Sequence, residues 1–232
     1  MEEYPLRISD SDAIAWDVAT WSRALRYWER EGRLSHARLE CLEVGAHDGG
    51  LSVWLAAQGH RVVCSDLNTP QERAKALAVR YRVAGSIRFE EIDATDIPYE
   101  DAFDVIAFKS VLGGIGRDGA LERQRMAIAA MYRALRSGGR LLFAENLTGS
   151  PLHGLLRRRY VDWGAQWRYV TVHEMRSFLE PFSSVCYDTA GFFATLGRTE
   201  RQRNKLARID DVIVQALVPP AWRYIMYGIA TK

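Results

Sequence analysis

The sequence lacks an excess of charge of either sign and lacks any long apolar run. Its 31 basic and 29 acidic residues leave a net charge of only +2 at pH 7, so no global field attracts nucleic acid or an anionic membrane. No window approaches the roughly 18 apolar residues of a membrane span. Residues 1–12 are polar and acidic, without the apolar core of a secretion signal. These absences predict a soluble cytoplasmic protein and disfavour a nucleic-acid partner.

Cysteine is also scarce. Cys41, Cys64 and Cys186 are odd in number and stand in no metal-ligand spacing. Two of them fall in predicted core strands, which indicates buried free thiols in a reducing compartment. No metal site is predicted.

A strand, a glycine turn, a helix and a second strand follow one another between Cys41 and Asp66. Gly45 and Gly49 punctuate the turn, where glycine permits a positive φ and a close approach of a ligand to the backbone. The helix ends at Gly59, the usual position of a C-terminal cap. The unit therefore predicts a nucleotide-binding βαβ half with a carboxylate at the end of its second strand.

The chemistry of this unit suits a nucleoside. A carboxylate about 20 residues beyond a glycine turn accepts hydrogen bonds from both ribose hydroxyls, and Asp66 occupies such a position. The dinucleotide fingerprint needs its second glycine where His47 stands, and no Tyr-x-x-x-Lys pair is present. An NAD-linked reductase is therefore the less favoured enzyme, because a ligand without a pyrophosphate needs that glycine less.

Strands and helices continue to alternate along the chain. Strands are predicted over 41–44, 61–65, 87–92, 103–111, 140–147, 183–194 and 222–231, and helices over 14–32, 51–58, 70–83, 121–135 and 197–217. The turn Ser137-Gly138-Gly139 separates the fourth of these helices from the following strand. This alternation predicts a parallel sheet with right-handed crossovers in one α/β domain.

Four motifs in this order resemble those of class I S-adenosylmethionine-dependent methyltransferases. Glu43–Gly49 resembles the glycine motif E/D-x-G-x-G-x-G, and Asp93-Ala94-Thr95 resembles the acidic position after the third strand. Phe103–Ser110 resembles the fourth strand, and Leu135–Gly139 resembles the turn before the fifth. The resemblance implies a Rossmann-like α/β fold: a seven-stranded, mostly parallel sheet with helices on both faces and a reversed C-terminal β-hairpin.

The resemblance also implies a division of this single methyltransferase domain. Residues 1–35 are expected to form an N-terminal helical cap, 36–148 the cofactor-binding core, 149–182 an acceptor-pocket insertion and 183–232 the C-terminal hairpin and helix. In the family the N-terminal helix often covers the cleft, which makes Trp16, Trp21 and Tyr27 candidate pocket residues.

S-adenosyl-L-methionine is the implied cofactor, and S-adenosyl-L-homocysteine the product. Its implied contacts are Glu43, Gly45, His47, Gly49, Asp66, Leu67, Asp93, Ala94 and Lys109. The Asp66 carboxylate is expected at the ribose and that of Asp93 at the adenine amine. Lys109, at the end of the fourth strand, faces the reacting centre or binds an anionic group of the acceptor.

The predicted reaction is methyl transfer to a hydroxyl of a small molecule or sugar. A neutral hydroxyl is a poor nucleophile and benefits from a base with a pKa near 7; the candidate bases are His153, His173 and Glu145. The chain lacks the Asn/Asp-Pro-Pro signature of nitrogen methylation after its fourth strand. Trp163 and Trp167 interleave with arginines, which favours a glycosyl or phosphate-bearing acceptor, although a solvated arginine face over core aromatics gives the same pattern.

Two other functions stay open from the sequence. The chain is either a catalytically silent binding protein that keeps the methyltransferase fold, or a methyltransferase that acts on nucleic acid. The sequence does not indicate an oligomeric state.

Overall fold

The computed structural model describes residues 6–34, 37–68, 72–160 and 166–232, without the side chains of Tyr160 and Gln215. The sheet within these ranges has the strand order β3-β2-β1-β4-β5-β7-β6. Its strands are β1 (Glu40–Val44), β2 (Arg61–Asp66), β3 (Ile87–Glu91), β4 (Phe103–Lys109), β5 (Leu135–Asn146), β6 (Ser184–Ala190) and β7 (Ile225–Thr231). Strands β1 to β5 form the parallel part of the sheet, and β7 runs antiparallel to both β5 and β6. The predicted Rossmann-like sheet with a reversed terminal hairpin is confirmed.

Helices cover both faces of this sheet. Within the described ranges they are α1 (Asp10–Ile14), α2 (Val18–Glu31), α3 (Gly50–Ala57), α4 (Glu72–Arg80), α5 (Leu112–Ile115), α6 (Leu121–Ala134), α7 (Pro151–Tyr160), α8 (Val172–Phe178) and α9 (Glu200–Leu217). Trp28 and Leu55 belong to the apolar layer on one face, and Met131 and Phe178 to the layer on the other. Because both faces are covered, the central strand β4 is almost wholly apolar.

The organising βαβ unit forms as predicted, with small shifts at its ends. Helix α3 begins one residue early, and β2 extends to include Asp66. Cys41 and Cys64 are buried free thiols, as expected, whereas Cys186 is exposed on β6. No helix in the described part of the chain is long and apolar enough to cross a membrane.

The N-terminal segment differs from the single helix that its apolar spacing predicts. It forms α1 and α2, separated at Ala15 and Asp17, which both have a positive φ. The break is held from outside, because the Glu200 carboxylate of α9 accepts hydrogen bonds from the backbone N–H groups of Asp17 and Val18 at 3.0 and 3.2 Å. Helix α2 does end at Gly32, as predicted.

The glycine turn predicted at Ser137-Gly138-Gly139 lies inside a strand instead. Strand β5 begins at Leu135, directly after α6, and its register against β4 shifts between the pairs Phe103–Leu135 and Val105–Arg140. Gly138 has a φ of +74°, so the glycines accommodate an irregularity in the ladder rather than ending it.

The C-terminal elements are shorter than their sequence pattern suggests. Strand β6 stops at Ala190, β7 starts only at Ile225, and α9 begins at Glu200 after its N-cap Thr199. Pro70, at the predicted start of α4, and Trp163, in the insertion, lie outside the described residues.

Candidate active site

The candidate site lies where the parallel strands end and the strand order reverses. Strand β1 pairs with β2 on one side and β4 on the other, so the chain leaves β1 at a switch point, where ligands of open α/β sheets bind. The N-terminal segment packs over this point: a Cβ on Gly50 would lie 2.3 Å from the carbonyl oxygen of Ala13. The sequence-predicted cofactor residues from β1, β2 and β4 are brought to this edge.

The turn after β1 has a left-handed backbone at three positions. Gly45, His47 and Gly49 have φ values of 67°, 49° and 74°. His47 therefore adopts the conformation that the family motif normally assigns to glycine, at a strain cost of about 1–3 kcal/mol. Its ring is exposed, and its Nδ1 lies 3.3 Å from the Asp48 carboxylate. The turn thus keeps the glycine-type path despite the substitution.

The backbone of this turn fixes the Asp66 carboxylate. The N–H of His47 donates to Asp66 Oδ2 at 2.8 Å, and the N–H of Leu67 donates to Oδ1 at 2.7 Å. A carboxylate has about four acceptor sites, so each oxygen keeps one for a ligand hydroxyl. Leu67 is 59% exposed beside it. The geometry suits a diol such as that of a ribose.

Asp93 closes a turn directly after β3. Its Oδ1 accepts hydrogen bonds from the backbone N–H and the hydroxyl of Thr95, both at 2.8 Å. The Thr95 backbone N–H holds the pKa of this carboxyl below its usual range, against a smaller opposing effect of burial. The other oxygen, Oδ2, lies 3.9 Å from Arg123. Asp93 is thus a turn-forming residue, and Ala94 beside it is half-buried.

Two carboxylates are buried beneath the edge. Glu43 Oε2 accepts from the backbone N–H and the hydroxyl of Ser52 at 2.7 and 2.5 Å. Glu145 Oε2 accepts from the N–H groups of Val111 and Leu112 at 2.9 and 2.8 Å. Burial raises the pKa of each carboxyl to about 7, although these hydrogen bonds oppose the shift. Both residues are therefore parts of the framework as well as candidate site residues.

Lys109, half-buried at the end of β4, supplies a cation near these carboxylates. Its ammonium lies 4.7 Å from the ring centroid of Trp21 and forms no salt bridge with a described residue. Burial lowers its pKa to about 8, against the attraction of Glu145, Glu43 and, more weakly, Asp17. A desolvated ammonium without a close counter-ion is suited to an anionic ligand group.

No hydrogen bond within the described residues joins the three candidate bases. Both ring nitrogens of His153 are engaged, since Nδ1 accepts from the Ser150 N–H at 3.0 Å and Nε2 lies 2.8 Å from the Phe192 carbonyl. Burial lowers its pKa. His173 is exposed on α8 and has no hydrogen bond to any residue that the structure describes. The proton-accepting roles stay predictions, and the contacts of His153 and Glu145 favour a structural role for each.

The described part of the insertion lies along the candidate site. Leu147 forms an isolated parallel bridge with Val170, and the N–H of Thr148 donates to the Val170 carbonyl. The Trp167 ring lies against Gly113, where an added Cβ would lie 2.6 Å from it. The segment after β5 therefore borders the loop that follows β4.

Asn146 is a polar residue of the site that is not among the residues predicted from the sequence. It is buried at the end of β5, and its amide nitrogen donates to the Ser110 hydroxyl at 2.6 Å. Ser110 has a φ of 58°, a strained conformation of the kind that clusters at functional sites. The signal available in the sequence was a polar residue directly after an apolar strand, but only the parallel pairing of β4 with β5 shows that the two side chains meet.

The three aromatic candidates of the N-terminal cap lie in three different environments. Trp21 is fully buried over Lys109. Trp16 is 39% exposed, and the Arg203 guanidinium lies 4.9 Å from its ring. Tyr27 lines a separate groove on the other side of α2, beside Tyr227. Trp21 alone among them contacts a predicted cofactor residue.

The buried glutamates predict how stability depends on pH. Because the pKa of Glu43 is about 7 in the folded state and 4.5 in its reference state, the folded protein binds this proton more tightly. The contribution of the protonated Glu43 carboxyl to the unfolding free energy is complete below pH 4.5 and is lost as the pH rises through about 7. In the wild type the unfolding free energy, measured with urea, is expected to fall between about pH 5 and 8. In Glu43→Gln we expect this fall to be smaller by about 1–3 kcal/mol. The exposed Glu72→Gln is the matched control and should leave the fall unchanged; equal profiles for both variants would contradict the prediction.

Comparisons with known proteins agree with this architecture. Residues 42–143 match the family model described as a methyltransferase domain. A ubiquinone/menaquinone biosynthesis C-methyltransferase of Methylococcus capsulatus is 32% identical over 67% of this chain and 63% of its own length. A tRNA 5-carboxymethoxyuridine methyltransferase of Escherichia coli is 28% identical over 51% of this chain and 45% of its own length. The chain thus spans less than two thirds of the length of these relatives.

A solved structure extends the similarity to the whole fold. The 1,6-didemethyltoxoflavin-N1-methyltransferase of Burkholderia thailandensis, with bound 1,6-didemethyltoxoflavin and S-adenosylhomocysteine, aligns with 95% of this chain and 81% of its own at a TM-score of 0.60 and 18% identity. The sheet order, the glycine-type turn after β1 and the matched core lead to one assignment. Residues 42–143 match a methyltransferase domain, and the chain has the fold of the class I S-adenosylmethionine-dependent methyltransferases.

Proposed function

We propose that this protein transfers the methyl group of S-adenosyl-L-methionine to a hydroxyl of a small molecule or sugar. The observation that carries the proposal is the Asp66 carboxylate, which the His47 N–H holds at the switch point of the sheet. This carboxylate has free acceptor sites for the two ribose hydroxyls of the cofactor. Gly45 and Gly49 give the turn its left-handed path, because a Cβ at either position would lie within 3.0 Å of the Val111 or Ala74 side chain.

The remaining cofactor contacts follow from the order of the strands. Leu67 is proposed to cover the adenine ring, and the Ala94 backbone N–H and Asp93 Oδ2 to bind its edge. Glu43 lies under the turn and orders it through Ser52. The Lys109 ammonium is proposed to bind the carboxylate of the methionine part, because it is desolvated and lacks a close counter-ion within the described residues.

The acceptor is proposed to lie on the Ser110 and Asn146 side of the site. The bound donor supplies an activated methyl group on a sulfonium that leaves as a neutral thioether, so the protein must align the acceptor, exclude water and accept a proton. The Ser110 hydroxyl accepts from Asn146 and keeps its own proton to donate. The Asn146 amide oxygen has no donor among the described residues. An acceptor hydroxyl can both accept from Ser110 and donate to Asn146.

Residues 149–182 are proposed to build the acceptor pocket, since Trp167 lies on the Gly113 loop. The buried Arg157 guanidinium lies 4.0 Å from the ring centroid of Tyr169 and donates to the Leu147 and Thr148 carbonyls, so it ties this segment to the end of β5. The proposal of a glycosyl or phosphate-bearing acceptor rests on the pattern of aromatic residues and arginines in the sequence. His173 is the candidate base whose ring nitrogens have no hydrogen bond to a described residue. The tRNA methyltransferase among the relatives keeps nucleic acid as the second candidate acceptor.

Asp66→Ala tests the cofactor site. We expect S-adenosylmethionine to bind the wild type in isothermal titration and the variant to bind it about 10–100-fold more weakly, since a charge-assisted hydrogen bond contributes about 1.5–3 kcal/mol. The exposed Glu180→Ala should bind like the wild type. Unchanged affinity in Asp66→Ala would contradict the assignment of the ribose site.

Lys109→Met tests the proposed contact with the methionine carboxylate. We expect S-adenosylhomocysteine to bind the variant about tenfold more weakly. In contrast, 5′-methylthioadenosine, which lacks the amino-acid part, should bind the variant and the wild type equally. Lys75→Met, on the exposed face of α4, is the matched control. An equal loss for both ligands would mean that Lys109 supports the fold of the site instead.

A panel of acceptors tests the reaction, with release of S-adenosylhomocysteine as the readout. We expect release with small alcohols, phenols or sugars, and a decrease of about tenfold in Ser110→Ala and His173→Ala with unchanged cofactor affinity. Release with tRNA alone would support the nucleic-acid alternative. Cofactor binding without release on any acceptor would support the silent binding protein.

A further inference from the structure

A groove lies on the side of α2 that faces away from the cofactor residues. Its volume is about 630 Å³, and it runs between α2, α9 and the β6–β7 hairpin. This volume falls within the range of small-molecule sites, about 300–1,000 Å³. Trp21 lies on the opposite side of α2, over Lys109, so the helix separates the groove from the candidate active site.

Arginines line both sides of this groove. Arg23, Arg26 and Arg30 come from α2 and Arg208 comes from α9. The three on α2 are spaced by three and four residues and therefore share one face of the helix. Like charges at this spacing destabilise a helix, which indicates that the face is arranged to meet negative charge from elsewhere.

The protein neutralises this charge only in part. Arg23 pairs with Asp211. Arg26 lies 3.6 Å from Asp10, and Arg30 Nε lies 2.7 Å from Glu31 Oε1, with the side chains of both pairs half or more exposed. Exposed pairs of this kind contribute little to stability, so a ligand anion can displace them at small cost. Arg208 is exposed and forms no ion pair with a residue that the structure describes.

The floor of the groove is aromatic, and two acids also line the groove. The rings of Tyr27 and Tyr227 meet edge to face with centroids 5.7 Å apart. Asp188 also lines the groove, with its side chain 45% exposed. A uniform polyanion such as an RNA strand would meet repulsion at Asp188 and Asp211. A ligand with one phosphate end and one hydroxyl-rich end satisfies both the arginines and Asp188.

We propose that this groove is a second ligand site, which binds a small phosphorylated molecule whose phosphate lies among Arg26, Arg30 and Arg208. Arginine suits this role because its planar guanidinium binds phosphate oxygens in pairs. The hydroxyl-bearing part of the ligand lies toward Asp188 and the tyrosine floor. The site is separate from the proposed methyl transfer and does not depend on it.

Titration calorimetry at low salt tests the site with inorganic pyrophosphate and glucose 6-phosphate as probes. We expect binding at about 1 mM or tighter for both probes and at least about tenfold weaker binding in the double variant Arg26→Gln/Arg208→Gln. Both arginines are exposed, so a melting temperature near that of the wild type is expected. Arg61→Gln, on the solvent side of β2 and outside the groove, is the matched control.

Three results would overturn the proposal. They are no heat of binding for either probe at about tenfold above the expected dissociation constant, an equal loss of affinity in Arg61→Gln, and tight binding of a single-stranded RNA 12-mer without binding of the phosphates. Cofactor titration of the same double variant is expected to be unchanged. A loss of cofactor affinity in the double variant would mean that the groove is coupled to the cofactor site, and it would also contradict a separate site.

Discussion

The carboxylate of Glu145 is the interaction on which the candidate site depends. It is fully buried at the end of β5, and it accepts hydrogen bonds from three backbone N–H groups, those of Val111, Leu112 and Asn146. Each buried N–H left without a partner costs about 1–3 kcal/mol. The loop after β4 is therefore held in one position, and this loop presents Ser110 and the backbone on which Trp167 packs.

This loop also sets the shape of the turn after β1. A Cβ on Gly45 would lie 2.6 Å from the Val111 side chain. The two loops can approach this closely only because residue 45 is a glycine. The turn after β1 then positions the His47 N–H to donate a hydrogen bond to the Asp66 carboxylate. A carboxylate on β5 thus positions, through two loops, the carboxylate on β2 that is proposed to bind the ribose.

Helix α2 connects the active-site edge to the rest of the molecule. Its first residue is preceded by Asp17, whose carboxylate accepts from the hydroxyls of Tyr224 at 2.5 Å and Thr20 at 3.0 Å. Burial raises the pKa of this carboxyl to about 6. One side of α2 covers Lys109, and the other carries the arginines of the α9 groove. Helix α2 therefore lines both the candidate active site and the groove, and it separates the two.

The sequence by itself determined the alternating strands and helices of the parallel sheet and the glycine turn, because hydrophobic periodicity and backbone requirements are local properties that a pattern reveals. The reversed terminal hairpin followed from the resemblance to the methyltransferase family. The sequence also indicated Asp66 and Lys109, since the end of a buried parallel strand is a defined position. Only the tertiary structure decided the break between α1 and α2, the continuation of β5 through its glycines, and the pairing of Ser110 with Asn146. These features depend on partners distant in sequence: Glu200 lies 183 residues from Asp17. The engagement of both His153 nitrogens was hidden for the same reason, because burial and hydrogen-bond partners come from packing and not from residue type.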